Sequence, residues 1–251
     1  MEAAYAEQYS GYEQHHWWFR ARRVILRRLL AKEIVWQSGM KVLEIGCGPG
    51  LNLYSLYPPD CHLSGMEPEQ ENAAIAGKRG KVPVYVGTVE AMPAELRRQQ
   101  FDVITMFDVL EHIQDDAAAL QLVKQRLAPG GYLVLSVPAY QWMWGQQDVV
   151  NLHFRRYTRA QLAERLEAAG FQVQRATYFN SLLFPPIAAV RLFARLFSSH
   201  KKPAKSDFEY SSGGLGEVLY RIFAAEAGWL ERFPFPCGVS VFAVVQVKPT
   251  T

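Results

Sequence analysis

From residue 41 onward the chain alternates between short β-rich runs and stretches of helical character, and few folds accept that order. The runs KVLEIGC (41–47), CHLSGME (61–67), VPVYVG (82–87), FDVITMF (101–107) and GYLVLSVP (131–138) are apolar along most of their length. Such runs suit strands covered on both faces, as in a parallel sheet. Between them lie EQENAAIAGKR (69–79) and DAAALQLVKQRL (116–127), the second stopped by Ala-Pro-Gly-Gly. In TRAQLAERLEAAG (158–170), Thr158 and Gln161 have capping-box spacing and Gly170 is a C-cap. Two more strands read at FQVQRATYF (171–179) and GVSVFAVVQVK (238–248). Repeated β-α-β units predict an α/β fold with a doubly wound, mostly parallel sheet of seven strands and right-handed crossovers.

Residues 180–236 stand before the last strand as an insertion, with two helices expected at about 182–198 and 215–232. A polar linker, SSHKKPAKSDFEYSSGG, joins them; a connection this long in a compact domain is expected to be functional or mobile. No internal repeat or second core is visible, so residues 1–251 read as one domain. Residues 1–39 form an N-terminal helical cap, 40–178 the core, 180–236 a helical insertion and 238–248 the last strand. A formal charge of +3 is too small to argue for nucleic acid. Cys47, Cys61 and Cys237 have no metal-ligand spacing and fit a reducing compartment. Acids and tyrosines stand where a signal peptide would begin. The most apolar segment (181–197) is interrupted by Pro185, Pro186, Arg191 and Arg195 and is too short to span a bilayer. The expected location is cytoplasmic, with peripheral contact at the inner membrane surface left open.

The sharpest local signal is VLEIGCGPG, a strand running into Gly46-Cys47-Gly48-Pro49-Gly50. Glycines there permit a tight turn and close approach of a ligand. A GxGxxG dinucleotide loop would place its third glycine at position 51, which is Leu51; a P-loop would add Lys-Ser/Thr, which is absent. Glu44 sets a negative charge before the loop. Together these suit a ligand with positive charge and no phosphate.

This E-x-G-x-G-x-G stretch resembles the first motif of the class I S-adenosylmethionine-dependent methyltransferases, whose fold is Rossmann-like. Glu67 ends the second run, nineteen residues after Gly48, where a carboxylate can take both ribose hydroxyls. GTVEAMP (87–93) is similar to the family's adenine-edge loop, with Thr88 where an Asp is common. That departure leaves adenine contacts to Val89 and Glu90, through backbone or side chain. FDVITMFDVLEHI (101–113) and LAPGGYLVLSVP (127–138) match the fourth strand and the fifth helix-turn-strand, so the resemblance covers about 40–178. It implies S-adenosyl-L-methionine as cofactor and S-adenosyl-L-homocysteine as product. The implied cofactor site is Glu44, Gly46, Cys47, Gly48, Gly50, Glu67, Pro68, Thr88, Val89, Glu90, Phe107, Asp108 and Val109.

Methyl transfer from a sulfonium needs chiefly that donor and acceptor be held at attack distance. A base is required only when the acceptor arrives protonated. His112 and His153 both follow strand ends, where ligands of open α/β sheets bind. His153, close to Tyr140, Trp142 and Trp144 in AYQWMWGQQD, is the preferred base; the competing reading is a histidine that bonds backbone or caps a helix. His112 reads more readily as structural. Glu111 and His112 are not expected to share a metal, because adjacent helical positions point apart; no metal is expected. Tyr140, Trp142 and Trp144 read as the acceptor wall, or else as a loop packed on the insertion.

The stretch HHWWFRARR (15–23) resembles the N-terminal segment of a bacterial small-molecule subgroup of this class, where it caps the donor. That likeness implies Trp18, Phe19 and Arg22 near the methionine end, with the sulfonium against an aromatic face. Trp18, Val24, Ile25, Leu29 and Leu30 also make the apolar face of a core helix. An RNA-binding arm finds no accompanying module, so no nucleic-acid partner is expected. The expected acceptor is a small molecule. A lipid or lipid-linked acceptor at a membrane surface and a non-catalytic S-adenosylmethionine-binding protein remain as alternatives. Atom specificity and oligomeric state are not written in the sequence.

Overall fold

The computed structural model describes residues 13–197 and 214–247, together with Gly11. The linker at 198–213 and the first ten residues of the cap lie outside the described residues. Strands β1 (Lys41–Ile45), β2 (His62–Glu67), β3 (Val84–Val86), β4 (Phe101–Phe107), β5 (Leu127–Pro138), β6 (Phe171–Phe179) and β7 (Ser240–Val247) form one sheet. Its order is β3-β2-β1-β4-β5-β7-β6. The first five strands pair in parallel, while β7 runs antiparallel to both β5 and β6. The expected seven-stranded, mostly parallel sheet is therefore present, with β7 slotted inside rather than added at an edge.

Helices α1 (Trp17–Glu33), α2 (Leu51–Ser55), α3 (Gln70–Gly80), α4 (Ala94–Arg97), α5 (Asp116–Lys124), α6 (Gln146–Val150), α7 (Arg159–Ala168), α8 (Phe184–Phe197) and α9 (Gly214–Leu230) accompany the sheet, with 3-10 turns at Leu110–His112 and Gln141–Met143. Alternate strand residues serve opposite layers, as the period of two requires. Val42, Val103, Val134 and Val244 pack with Ile25, Leu26, Leu29 and Leu30 of α1 and Phe223, Ala227 and Leu230 of α9. Their neighbours Leu43, Ile104, Leu133 and Val245 pack with Leu120 and Val123 of α5 and Leu162 and Leu166 of α7.

Two local expectations shift. The helix read over 116–127 ends at Lys124, because Leu127 already pairs with Phe101 and opens β5. The helix expected at about 182–198 is present as α8, and Pro185 and Pro186 fall in its first turn, where a missing N–H costs nothing. The N-terminal segment is chiefly a core helix: α1 lies on the sheet face, and its first turns alone reach the carboxyl edge. Among the described residues no helix is long and apolar enough to cross a membrane.

Candidate functional site

The carboxyl ends of β1, β2, β4 and β5 share one edge of the sheet, since these strands run parallel. The chain winds outward from β1 in one direction to β3 and then in the other to β4, which makes the end of β1 the topological switch point. The glycine loop lies there. Gly46, Gly48 and Gly50 all have positive φ, of 69°, 54° and 88°. A Cβ on Gly46 would lie 2.4 Å from Val109 Cγ2, so Val109 closes over the loop from the end of β4.

Glu67 braces this loop. Its carboxylate accepts from Gly48 N at 2.9 Å and from Glu69 N at 3.2 Å, and the side chain is nearly buried. A carboxylate has about four lone-pair sites, so acceptor capacity remains. Cys47 offers no side chain to a ligand: its sulfur is buried against Gly65, and the Gly46 and Cys47 N–H groups both donate to Met66 O. A Cβ on Gly50 would meet the Ala76 Cβ at 2.8 Å, which adds a clash to the positive φ. Gly50→Ala is expected to cost about 2–4 kcal/mol of stability, measured by denaturant unfolding.

Glu44 departs from its expectation as a fixed negative charge. It is buried within the sheet, takes a hydrogen bond from the Tyr57 hydroxyl at 3.0 Å, and burial pushes its carboxyl up to about 8. Glu13, which no motif flagged, is its counterpart in the cap. It lies 3.6 Å from Arg79 Nη1, which in turn donates to Pro49 O in the loop. Burial raises Glu13 to about 7 against the attraction of Arg79 and Arg23. Both carboxyls stay protonated in the folded state well above the ordinary 4.5 at which they ionise unfolded. Folding therefore takes up protons across this window, and stability should fall as pH rises from about 4.5 to 8. Denaturant unfolding at the two ends should differ by a few kcal/mol, on the order of 1.4 per pKa unit, and Glu44→Gln should flatten the slope.

The cap meets the edge through Arg22. Its Nη2 lies 2.7 Å from Asp108 Oδ2 and donates to Ser136 Oγ at 3.1 Å, and Ser136 Oγ donates to Asp108 Oδ1 at 3.0 Å. The guanidinium sits over Trp18 and Phe107, 5.2 and 5.7 Å from the ring centroids. Trp18 thus already serves a protein cation, while Phe19 is buried. Asp108 itself has a φ of 56°, a left-handed conformation that presents its side chain at the turn after β4.

In the adenine-edge loop the Thr88 hydroxyl accepts from Ala91 N at 3.1 Å and so closes a turn. Val89 is buried in the core, whereas Pro68 and Glu90 are exposed. Tyr140, with φ of 56° at the end of β5, stacks on Tyr178 and Trp142 at 5.1 and 5.8 Å. Tyr140 and Trp142 also meet Phe184, the first residue of α8, so this loop packs on the insertion. Trp144 is half-buried at the end of the same turn.

His153 and His112 come together, with ring centroids 4.5 Å apart. The His153 Nδ1 is 2.9 Å from Asp148 Oδ1, and Asp148 also accepts from Arg156 Nε and Nη2 and from Gly145 N. Burial works against the Asp148 charge, but these hydrogen bonds prevail and hold it at about 2. Burial and the neighbouring His153 push His112 down to about 4. Glu111 joins them: one ligand-type atom from each of Glu111, His112 and His153 lies within 4.8 Å of the others. Leu110–His112 is a 3-10 turn rather than an α-helix, and the expectation that adjacent side chains diverge fails there. Asp148 and Arg156 were not singled out in the sequence; only the folded loop brings them to His153.

Against known families, residues 13–176 match the model described as a methyltransferase domain. A relative from Mycolicibacterium smegmatis, named "Probable S-adenosylmethionine-dependent methyltransferase", is 29% identical over 167 residues. That match takes in 65% of this chain and 63% of the relative's length. A ubiquinone biosynthesis O-methyltransferase of Marinobacter nauticus is 25% identical over 68% of this chain and 78% of its own. In fold, the chain is similar to an S-adenosylmethionine-dependent methyltransferase from Mesorhizobium loti (TM-score 0.56, 15% identity, 87% of this chain and 95% of that one). It is similar also to the [4+2]-cyclase SpnF (TM-score 0.57, 18% identity, 89% and 80%), so the fold by itself does not name a reaction. With the family model matched over most of the chain, on a glycine loop and strand ends arranged as above, the protein belongs to the methyltransferase-domain family, within the class I superfamily that uses S-adenosyl-L-methionine.

Proposed function

We propose that the protein transfers the methyl group of S-adenosyl-L-methionine to a small-molecule acceptor and releases S-adenosyl-L-homocysteine. The observation that carries this reading is Glu67, held by the backbone of the glycine loop it faces. Its remaining lone pairs take the ribose hydroxyls. Gly46, Gly48 and Gly50 let the methionine portion lie close to the backbone, with Cys47 keeping the loop in register. The backbone of Thr88, Val89 and Glu90, with Pro68, borders the adenine. Phe107, Asp108 and Val109 floor the site, and Trp18 and Arg22 close it from the cap. A bound sulfonium would favour the ionised form of Glu44, whose proton the free protein retains.

The acceptor's lone pair forms the new bond to the methyl carbon as the carbon–sulfur bond breaks, and the electron pair goes to sulfur. Proximity supplies most of the rate, and exclusion of water by the cap favours a step in which the sulfonium charge disappears. His153, its ring fixed by Asp148, meets the attacking atom, with His112 beside it; Tyr140, Trp142 and Trp144 border the acceptor. Oxygen acceptors are the first to try, given the O-methyltransferase relatives. Release of S-adenosylhomocysteine from a panel of hydroxylated and amino compounds tests the reading. A protein that binds the cofactor and turns over nothing in cell extract favours the non-catalytic alternative.

One observation favours a second reading, a lipid-linked acceptor at the inner membrane surface. Leu215, Val218, Ile222 and Trp229 make an exposed apolar stripe along α9, and Val190, Leu192 and Phe193 are exposed on α8. Arg191, Arg195, Lys201 and Lys202 follow in sequence without an acid among them. Co-sedimentation with anionic but not neutral vesicles, lost on removing 180–236, is its expected signature.

A further inference from the structure

Glu111 lies in the 3-10 turn Leu110–His112 that follows β4. Its side chain is wholly buried, yet neither carboxylate oxygen has a hydrogen-bond partner among the described residues. An unpaired buried carboxyl is costly, and side chains in that position ordinarily have a partner. Beside it stands a pair of imidazoles, one of them already held by an outer carboxylate. His153 is fixed through Nδ1 to Asp148, and the His112 ring stands edge-on to the His153 ring with centroids 4.5 Å apart. Each offers one ring nitrogen within 4.8 Å of the other's and of a Glu111 oxygen. An outer carboxylate partner of this kind orients a metal-bound histidine. Arg156 and Gly145 hold Asp148 in turn, and Phe154 N donates to Glu111 O at 2.8 Å, so the two segments are stitched together.

We infer that Glu111, His112 and His153 form a binding site for one divalent transition-metal cation, with open positions for the acceptor's oxygen. Two imidazole nitrogens and one carboxylate oxygen suit Zn²⁺, Co²⁺ or Mn²⁺ rather than the all-oxygen surroundings of Mg²⁺ or Ca²⁺. Around a tetrahedral ion with ligand bonds near 2.0–2.1 Å, donor atoms stand roughly 3.3 Å apart. The donor atoms lie within 4.8 Å of one another, and His112, at the surface, can supply the remaining contraction by a small ring shift. Use of the ion in the reaction rests on the proposed methyl transfer. The acceptor hydroxyl binds in an open position, its proton leaves to bulk water, and the metal-held oxygen attacks the methyl carbon while the carbon–sulfur pair goes to sulfur. His153 is then a ligand, and the acceptor does not need it as a base.

The test uses untagged full-length protein stripped with a chelator, with Co²⁺ as a spectroscopic probe. Wild type should take up one equivalent, with visible absorption bands of a four- or five-coordinate site, and Zn²⁺ should displace it. His112→Ala and His153→Ala should each weaken uptake at least about tenfold, in line with the loss of one ligand. Both should still bind S-adenosylhomocysteine, which shows that they fold. Glu111→Gln, which keeps the volume, should weaken uptake likewise. A stripped wild type that binds S-adenosylhomocysteine yet takes up no Co²⁺, or no more than the variants, overturns the site. Protein that takes up Co²⁺ but not S-adenosylhomocysteine removes the proposed methyl transfer and leaves the cation site standing. Once an acceptor is known, turnover that is unchanged by stripping overturns the metal's part in the reaction.

Discussion

Glu67→Ala is expected to weaken S-adenosylhomocysteine binding by about two to three orders of magnitude in calorimetric titration. Two ribose hydroxyls donating to one carboxylate make charge-assisted bonds of about 1.5–3 kcal/mol each. The same substitution also frees Gly48 N and Glu69 N, which the carboxylate now accepts. The loop contribution and the ribose contribution separate with a 2′-deoxy ligand. Wild type should lose about tenfold or more on losing that hydroxyl, while Glu67→Ala should barely distinguish the two ligands. Full-strength binding to Glu67→Ala would place the ribose elsewhere and remove the observation on which the proposed function stands.

Arg22→Met should cost about 2–3 kcal/mol in denaturant unfolding. Breaking a buried ion pair from one side commonly costs 3–5 kcal/mol. The smaller figure reflects Asp108, whose side chain keeps 29% of its exposure and can recover some water. Asp108→Asn is the informative partner, because asparagine tolerates the left-handed backbone at this position and adds no strain. If Arg22 and Asp108 act as a pair, the double variant should be less destabilised than the sum of the singles by about 1 kcal/mol or more. Strict additivity would mean that Arg22 acts through its packing on Trp18 and Phe107 instead. Cofactor affinity should fall with Arg22→Met as well, since the guanidinium joins the first turns of α1 to the ends of β4 and β5.

What could be read before folding was local in its chemistry. The run-and-helix alternation, the Gly46–Gly50 loop, Glu67 at a strand end and the Thr158–Gln161 cap each depend on neighbours in sequence or on the period of an element. The capping box is present with both of its bonds, at 2.9 and 3.2 Å. Glu44 shows the limit: its charge is plain in the sequence, but burial decides whether that charge exists at neutral pH. Glu13 carries no motif at all, and its role comes from Arg79, far along the chain. The aromatics of 140–144 were legible as a cluster, whereas their contact with Phe184 required the insertion to return to the sheet.

The sequence by itself determined the α/β class, the parallel half of the sheet, the glycine loop and the family, because backbone period and glycine geometry are short-range properties. Only the tertiary structure decided that β7 enters antiparallel between β5 and β6, and that α1 is a core helix whose first turns alone reach the site. It also decided that Glu111, His112 and His153 face one another with Asp148 behind. Those outcomes depend on contacts between segments distant in the chain, where burial and partner geometry, rather than residue type, set charge and orientation.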